Sequence, residues 1–172
     1  MKLLDLLSGV NYKVLQGSLD KEINHIQYDS RKIKEGDLFV CLRGFEVDGH
    51  NYAKNAVEAG AQVIVCEKEI DIDNNDITVI LVKEGRKALA IMSANYYNHP
   101  TRELKLVGVT GTNGKTTTVY LLKSILEKAG KKVGLIGTIA NYIGDKKLES
   151  DHTTPESLEC QKLFRDMVED GC

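Results

Sequence analysis

The segment Gly108-Val109-Thr110-Gly111-Thr112-Asn113-Gly114-Lys115-Thr116-Thr117 holds the residues best suited to chemistry. Its glycines let the backbone curl until several N–H groups face one point. A helix predicted to open at Lys115 adds the partial positive charge of its N-terminus there. Such a cradle fits phosphate oxygens. Lys115 is placed to reach the β- and γ-phosphates of a nucleotide, and the Thr116 hydroxyl to bind Mg²⁺. The common phosphate loop, GxxxxGK, would put a glycine where Val109 stands. Here the glycines fall at 108, 111 and 114 instead. A plain glycine turn between strand and helix is the competing reading.

The loop needs a strand before it and a helix after it. LKLVGV at 104–109 reads as that strand. Residues 115–129 read as that helix, with Val119, Leu121, Leu122, Ile125 and Leu126 apolar and Gly130 closing it. KVGLIG at 132–137 reads as the next strand, TIANYI at 138–143 as an extended piece, and Gly144-Asp145 as a turn. Thr154-Pro155-Glu156 opens a last helix, with Leu158, Leu163, Phe164, Met167 and Val168 facing inward. Lys123, Lys128, Lys131 and Lys132 read as a solvated face.

Upstream lies a second α/β unit. Leu3, Leu4, Leu6 and Leu7 suggest a short opening helix. Strands are predicted at 22–28, where apolar and polar residues alternate, at 38–42, which reads as buried, at 62–66, and at 77–82, which is rich in β-branched residues. Helices are predicted around residues 52–59, closed by Gly60, and over 84–97. The second ends at Asn98-His99-Pro100, because proline disfavours helix in the residue before it. This places one domain at 1–100 and another at 103–172.

Composition excludes several classes. The chain has 172 residues, a formal net charge of −2 and a 42% hydrophobic share, which is not the pattern of a disordered segment. With 23 Lys and Arg against 25 Asp and Glu, no bulk positive charge is available to hold a nucleic acid. No apolar run approaches the roughly 20 residues of a membrane helix, so no membrane insertion is expected. Met1 to Val10 lacks the apolar core of a signal peptide. Cys41, Cys66, Cys160 and Cys172 have neither zinc-knuckle nor redox spacing. Cys41 and Cys66 sit in apolar runs and read as small buried hydrophobes, reduced in a cytoplasmic protein.

The form TGTNGKTT at 110–117 resembles the Mur ligases, ATP-dependent enzymes that build the peptide stem of bacterial cell-wall precursors. Three further stretches carry the resemblance. They are Tyr28-Asp29-Ser30-Arg31 followed by GDLFVCLRG and Asp48-Gly49-His50, then Gly134 to Thr138, then Thr153-Thr154-Pro155-Glu156-Ser157-Leu158 with Gln161. Together they span nearly the whole chain in matching order. Among the siblings, the sequence is similar to the ligase that adds the third amino acid. The sibling adding D-Ala-D-Ala usually carries Ser where Thr112 stands, and lacks the TTPE segment.

The resemblance implies an α/β fold: an N-terminal mixed α/β domain that binds a UDP-sugar, followed by the truncated start of a parallel-sheet P-loop ATPase domain. It implies that Thr110, Gly111, Thr112, Asn113, Gly114, Lys115 and Thr116 bind ATP, with Lys115 and Thr116 catalytic and Thr116 on Mg²⁺. Ser30, Thr153 and Thr154, with His152 beside them, become contacts to UDP-N-acetylmuramoyl-dipeptide. From the residues alone, Ser30 closes a turn equally well and Thr154 is an ordinary helix cap. Arg31 suits a pyrophosphate or a nearby carboxylate. Phe45-Glu46-Val47 does not match the His-Gln form of some members, so no side-chain role carries over there. The reading implies a partner in the rest of the same polypeptide, with the fragment alone inactive. The amino acid added, meso-diaminopimelate or L-lysine, stays open. The alternatives are a non-catalytic UDP-sugar or nucleotide-binding module, the D-Ala-D-Ala-adding sibling, and an ordinary phosphate-loop kinase.

Overall fold

The computed structural model describes residues 1–44, 47–148 and 155–172. They form two compact units, Met1–Tyr96 and Tyr97–Cys172.

The first unit is built on five strands: β1 (Tyr12–Gln16), β2 (Ile26–Gln27), β3 (Asp37–Val40), β4 (Ala61–Cys66) and β5 (Thr78–Val82). Their order across the sheet is β1-β5-β4-β3-β2. β2 to β5 run parallel, and β1 pairs antiparallel with β5 at the edge. The apolar runs at 38–42, 62–66 and 77–82 therefore become the sheet's centre. Every residue of β3 is buried, as expected where both faces are covered. One face gathers Phe39, Cys41, Ile64, Cys66 and Val79 with Ile33, Ala53 and Ala56. Strand alternation sends Leu38, Val40, Val63, Val65 and Ile80 to the other face. Helices α1 (Leu3–Leu6) and α3 (Gly85–Tyr96) bury Leu3, Leu6, Leu89 and Met92. Asn95 of α3 ties them together, its Nδ2 donating to the carbonyls of Leu6 and Ser8 at 2.9 and 2.8 Å.

Two sequence expectations change here. The strand expected at 22–28 narrows to Ile26–Gln27 in the ladder, with Glu22 bridged singly to Lys2. The edge strand β1, which forms from a segment with no sequence signal of its own, is fixed by pairing with β5. Helix α2 (Ala53–Glu58) does close at Gly60, whose φ is +110°. A Cβ there would lie 2.8 Å from Glu35 Cα, so the residue has no room for a side chain. Cys41 and Cys66 are fully buried, as expected.

In the second unit, α4 (Lys115–Lys128), a hairpin of β6 (Asn141–Ile143) and β7 (Lys146–Leu148), and α5 (Ser157–Glu169) are the named elements. Leu135, Ala140, Ile143 and Met167 are buried. The Met167 side chain lies against Gly134, so a side chain there would have to displace it.

The expected strands at 104–109 and 132–137 are not strands. Leu106 and Val107 are exposed, and only Leu135 bridges, to Tyr142. A parallel strand is held only by a paired neighbour, and among the described residues neither segment has a ladder partner. Leu121, Ile125 and Leu126, among the apolar positions read for this helix, are exposed for the same lack of a covering layer. Lys123 and Lys132 are not merely solvated. Lys123 pairs with Glu127 and lies 5.1 Å over the Tyr142 ring, while Lys132 meets Asp170 at 2.8 Å.

One buried charge organises the start of β3. Asp37, fully buried, accepts from His25 N at 3.1 Å, His25 Nδ1 at 3.0 Å and Lys34 N at 2.9 Å. Asp37→Ala leaves two backbone donors unmet and is expected to cost about 2–4 kcal/mol in chemical denaturation. Gly60→Ala is expected to cost about 1–3 kcal/mol through its positive φ, before the clash with Glu35 is added.

Candidate phosphate loop and strand-edge site

Ligands of parallel α/β sheets bind at the carboxyl ends of the strands. In the first unit two adjacent strand ends carry the same device. After β2, the Asp29 carboxylate caps the 3₁₀ turn Ser30–Lys32 by accepting from Arg31 N at 3.1 Å. The same carboxylate grips the Arg31 guanidinium in a fork, Nε at 2.9 Å and Nη2 at 2.8 Å. After β3, Asp48 caps the 3₁₀ turn Gly49–Tyr52 by accepting from His50 N at 3.0 Å. It also holds His50 Nδ1 at 2.5 Å and Lys68 Nζ at 2.9 Å. Each strand end is thus an aspartate turn whose basic residue two positions on returns to the same carboxylate.

The charges follow from this geometry. The bond from Arg31 holds the Asp29 carboxyl below its usual range, against a smaller opposing effect of burial. The Lys68 ammonium, followed by the His50 backbone N–H, holds Asp48 well below that range. Of the two partners open to Arg31, the structure selects the carboxylate of Asp29. Ser30 opens the first of these turns and is half-buried.

In the second unit, Thr110 to Gly114 is exposed and leads into α4. Gly114 is the N-cap of α4, left-handed at φ +79°, and offers no capping side chain. The first intrahelical bond at this end is Thr118 N to Gly114 O. The amides of the first turn therefore carry no side-chain cap, which is the condition for holding an anion. A Cβ at Gly108 or Gly114 would meet nothing within 4 Å, so the loop is open to a ligand. The Lys115 ammonium donates to the carbonyls of Gly111 and Thr112, lying back across the loop. Thr116 stands half-buried beside it. Among the described residues, no group of three or more His, Cys, Asp and Glu could hold a metal ion. The Thr116 hydroxyl alone suits a hard cation that brings its other oxygens from a nucleotide.

Thr110 to Thr116 are thus brought together by the loop, and Ser30 stands in the other unit. His152, Thr153 and Thr154 lie outside the described residues, as do Phe45 and Glu46. The last helix begins at Ser157, capped by the Glu156 carboxylate accepting from Ser157 N at 3.2 Å. The side chains of Asp48 and His50 carry no assigned role in the sequence motif Asp48-Gly49-His50. The signal was present: an aspartate followed two residues later by a basic side chain, after each of two consecutive strands.

A depressed carboxyl contributes stability that is whole above the ordinary carboxylate range and is lost as pH falls below it. The melting difference between the wild type and Asp48→Asn is therefore expected to be constant between about pH 7 and 5 and to shrink below about pH 4. Thermal melts across that range check it.

Comparison with known proteins fits both units. The family model described as "Mur ligase family, catalytic domain" matches residues 22–97, and the "Mur ligase middle domain" matches 109–172. The UDP-N-acetylmuramoyl-L-alanyl-D-glutamate–2,6-diaminopimelate ligase of Clostridium botulinum is 58% identical over 99% of this chain. The Clostridium acetobutylicum ligase 1 of the same name is 56% identical over 99%. The chain spans 35% of the length of each of these relatives. A crystal structure of MurF from Acinetobacter baumannii matches with a TM-score of 0.58 and 26% identity, covering 96% of this chain and 32% of that one. The structure of a UDP-N-acetylmuramoyl-L-alanyl-D-glutamate–2,6-diaminopimelate ligase shares the fold at a TM-score of 0.70, covering 87% of this chain and 30% of that one. With its two units matched in order by these family models, the chain belongs to the Mur ligase family.

Proposed function

We propose that this chain is the substrate- and ATP-binding portion of a ligase that adds 2,6-diaminopimelate to UDP-N-acetylmuramoyl-L-Ala-D-Glu. The observation that carries the reading is the uncapped, open glycine loop at the start of α4, with Lys115 within its curl. The names of the relatives support the amino acid. Thr112, where the D-Ala-D-Ala-adding sibling usually has Ser, favours this member over that one. Action in the cytoplasm belongs to the same proposal; among the described residues no helix is long and apolar enough to cross a membrane.

A carboxylate is a poor acyl donor because oxide is a poor leaving group. In the proposed reaction a substrate carboxylate oxygen attacks the γ-phosphorus of ATP, the bond to the β-phosphate oxygen breaks, and ADP leaves. The amine of the incoming amino acid then attacks the acyl carbon. The C–N bond forms, the C–O bond to phosphate breaks, and inorganic phosphate and a proton are released. The loop amides and Lys115 bind the triphosphate and offset charge as it develops. To do so Lys115 exchanges the Gly111 and Thr112 carbonyls for phosphate oxygens. Thr116 would hold Mg²⁺, which supplies neutralisation of phosphate charge when bound. Ser30 in its turn, and Thr153, Thr154 and His152, are assigned to the UDP-muramoyl substrate.

Calorimetry on the 172-residue chain is expected to show binding of both ATP and the UDP-muramoyl dipeptide. A phosphate-loop kinase would ignore the second, and that result would overturn the reading. In a ligase of the relatives' full length that contains this segment, Lys115→Ala is expected to lower kcat by about a hundredfold to a thousandfold or more. Near-normal turnover would remove Lys115 from the mechanism.

A further inference from the structure

Helix α4 carries the phosphate loop at its first residue, yet none of its 14 residues is fully buried. Something other than a buried stripe must therefore hold its orientation. Thr116, Tyr120, Lys123 and Glu127 follow one another at spacings of four, three and four, so they share one side of the helix. Each of them is half-buried. The opposite side, with Leu121 and Ile125, is exposed.

Tyr142 of β6 meets the half-buried side. The Tyr120 and Tyr142 rings stand edge to face, with centroids 6.0 Å apart and planes at 88°. The Lys123 ammonium lies over the Tyr142 ring, 5.1 Å from its centroid. Lys123 is only 13% exposed and pairs with Glu127, so its place over the ring is held from a second direction. Both contacts follow the ring quadrupole and both are directional. The strand fixes the ring in turn. Asn141 and Ile143 are buried on either side of Tyr142, so alternation sends its side chain to the other face. Asn141 Oδ1 accepts from Gly137 N at 3.3 Å, and α5 packs against β6. The Tyr142 backbone exchanges two bonds with the buried Leu135, Leu135 N to Tyr142 O at 2.9 Å and Tyr142 N to Leu135 O at 2.7 Å. Tyr142 thus joins α4, through its ring, to the segment that follows α4, through its backbone.

We infer that Tyr142 is a positioning residue for nucleotide binding: its ring fixes the rotation of α4 about its own axis and so aims the Thr116 hydroxyl, one turn before Tyr120 on the same side, at the phosphate loop. The inference rests on reading that loop as an ATP site with Thr116 on Mg²⁺. The free amides of the first turn point along the helix axis, so a helix that rolled would still present them. The Thr116 side chain points away from the axis, and the same roll would swing it off the site. Tyr142 touches no nucleotide in this scheme and acts only through α4.

The test titrates ATP into the 172-residue chain with and without Mg²⁺, by calorimetry. In the wild type Mg²⁺ is expected to tighten binding. Tyr142→Leu removes the aromatic ring and is expected to cut that gain by about fivefold or more, with Mg²⁺-free binding held within about twofold. Tyr142→Phe keeps the ring and is expected to keep the gain. Lys123→Met removes the cation from a helix surface and is expected to lose part of the gain, which supplies the test even if Tyr142→Leu does not fold. A variant that merely destabilises the fold lowers both affinities in step and leaves the gain unchanged; that result overturns the positioning role. Equal binding by the wild type and every variant overturns it too and leaves the ATP reading standing. If ATP does not bind the wild type, the ATP reading fails; if ATP binds and Mg²⁺ adds nothing, the role of Thr116 fails. In either case the positioning role falls with it.

Discussion

Strands β3, β4 and β5 are covered on both faces, and most of what surrounds them follows from that constraint. A doubly covered sheet has no wet face where loops can satisfy their polar groups at leisure. The connections must instead resolve their hydrogen bonds at the strand ends. At the amino end Asp37 does this by gathering three donors into a fully buried carboxylate. At the carboxyl end the work falls to Asp29 and Asp48, each of which caps a short turn and then binds a basic side chain from within it. The outcome is an edge that is preformed and polar, with Ser30 built into one of its turns.

The phosphate loop is organised in the opposite way. Nothing caps the first turn of α4 from a side chain, and its glycines face open space. Within it the Lys115 ammonium rests on two carbonyls of the loop. Those carbonyls are neutral partners, weaker than phosphate oxygens for a cation. On the proposed reading the loop keeps its shape through those contacts and exchanges them for a triphosphate. One unit thus offers an internally paired edge and the other an open loop.

Much of the first unit was legible in sequence. The continuous apolar runs announced β3 to β5, and Gly60 and Asn98-His99-Pro100 announced two helix ends. Strand β1 was not legible, because Tyr12–Gln16 becomes a strand only through its pairing with β5. In the second unit α4 and the hairpin turn were readable, yet 104–109 and 132–137 read as strands and are none. Their apolar pattern records a preference for sheet, and a preference becomes a strand only where a neighbour supplies the ladder. The exposed Leu121, Ile125 and Leu126 have the same origin: an apolar stripe states which face seeks cover without providing it.

The candidate site divides along the same line. The sequence by itself marked the candidate phosphate loop, since glycine spacing, a lysine and a hydroxyl at the start of a helix are all local and need no partner to be recognised. It also read Ser30 in a turn. Only the tertiary structure decided that Arg31 returns to Asp29, that His50 joins Asp48 to Glu67, and that Arg86 reaches the Arg43 carbonyl. Those links depend on strand register and rotamer, which bring together groups as far apart in sequence as Arg43 and Arg86, 43 positions. Local periodicity carries no information about which of several nearby charges will be in reach.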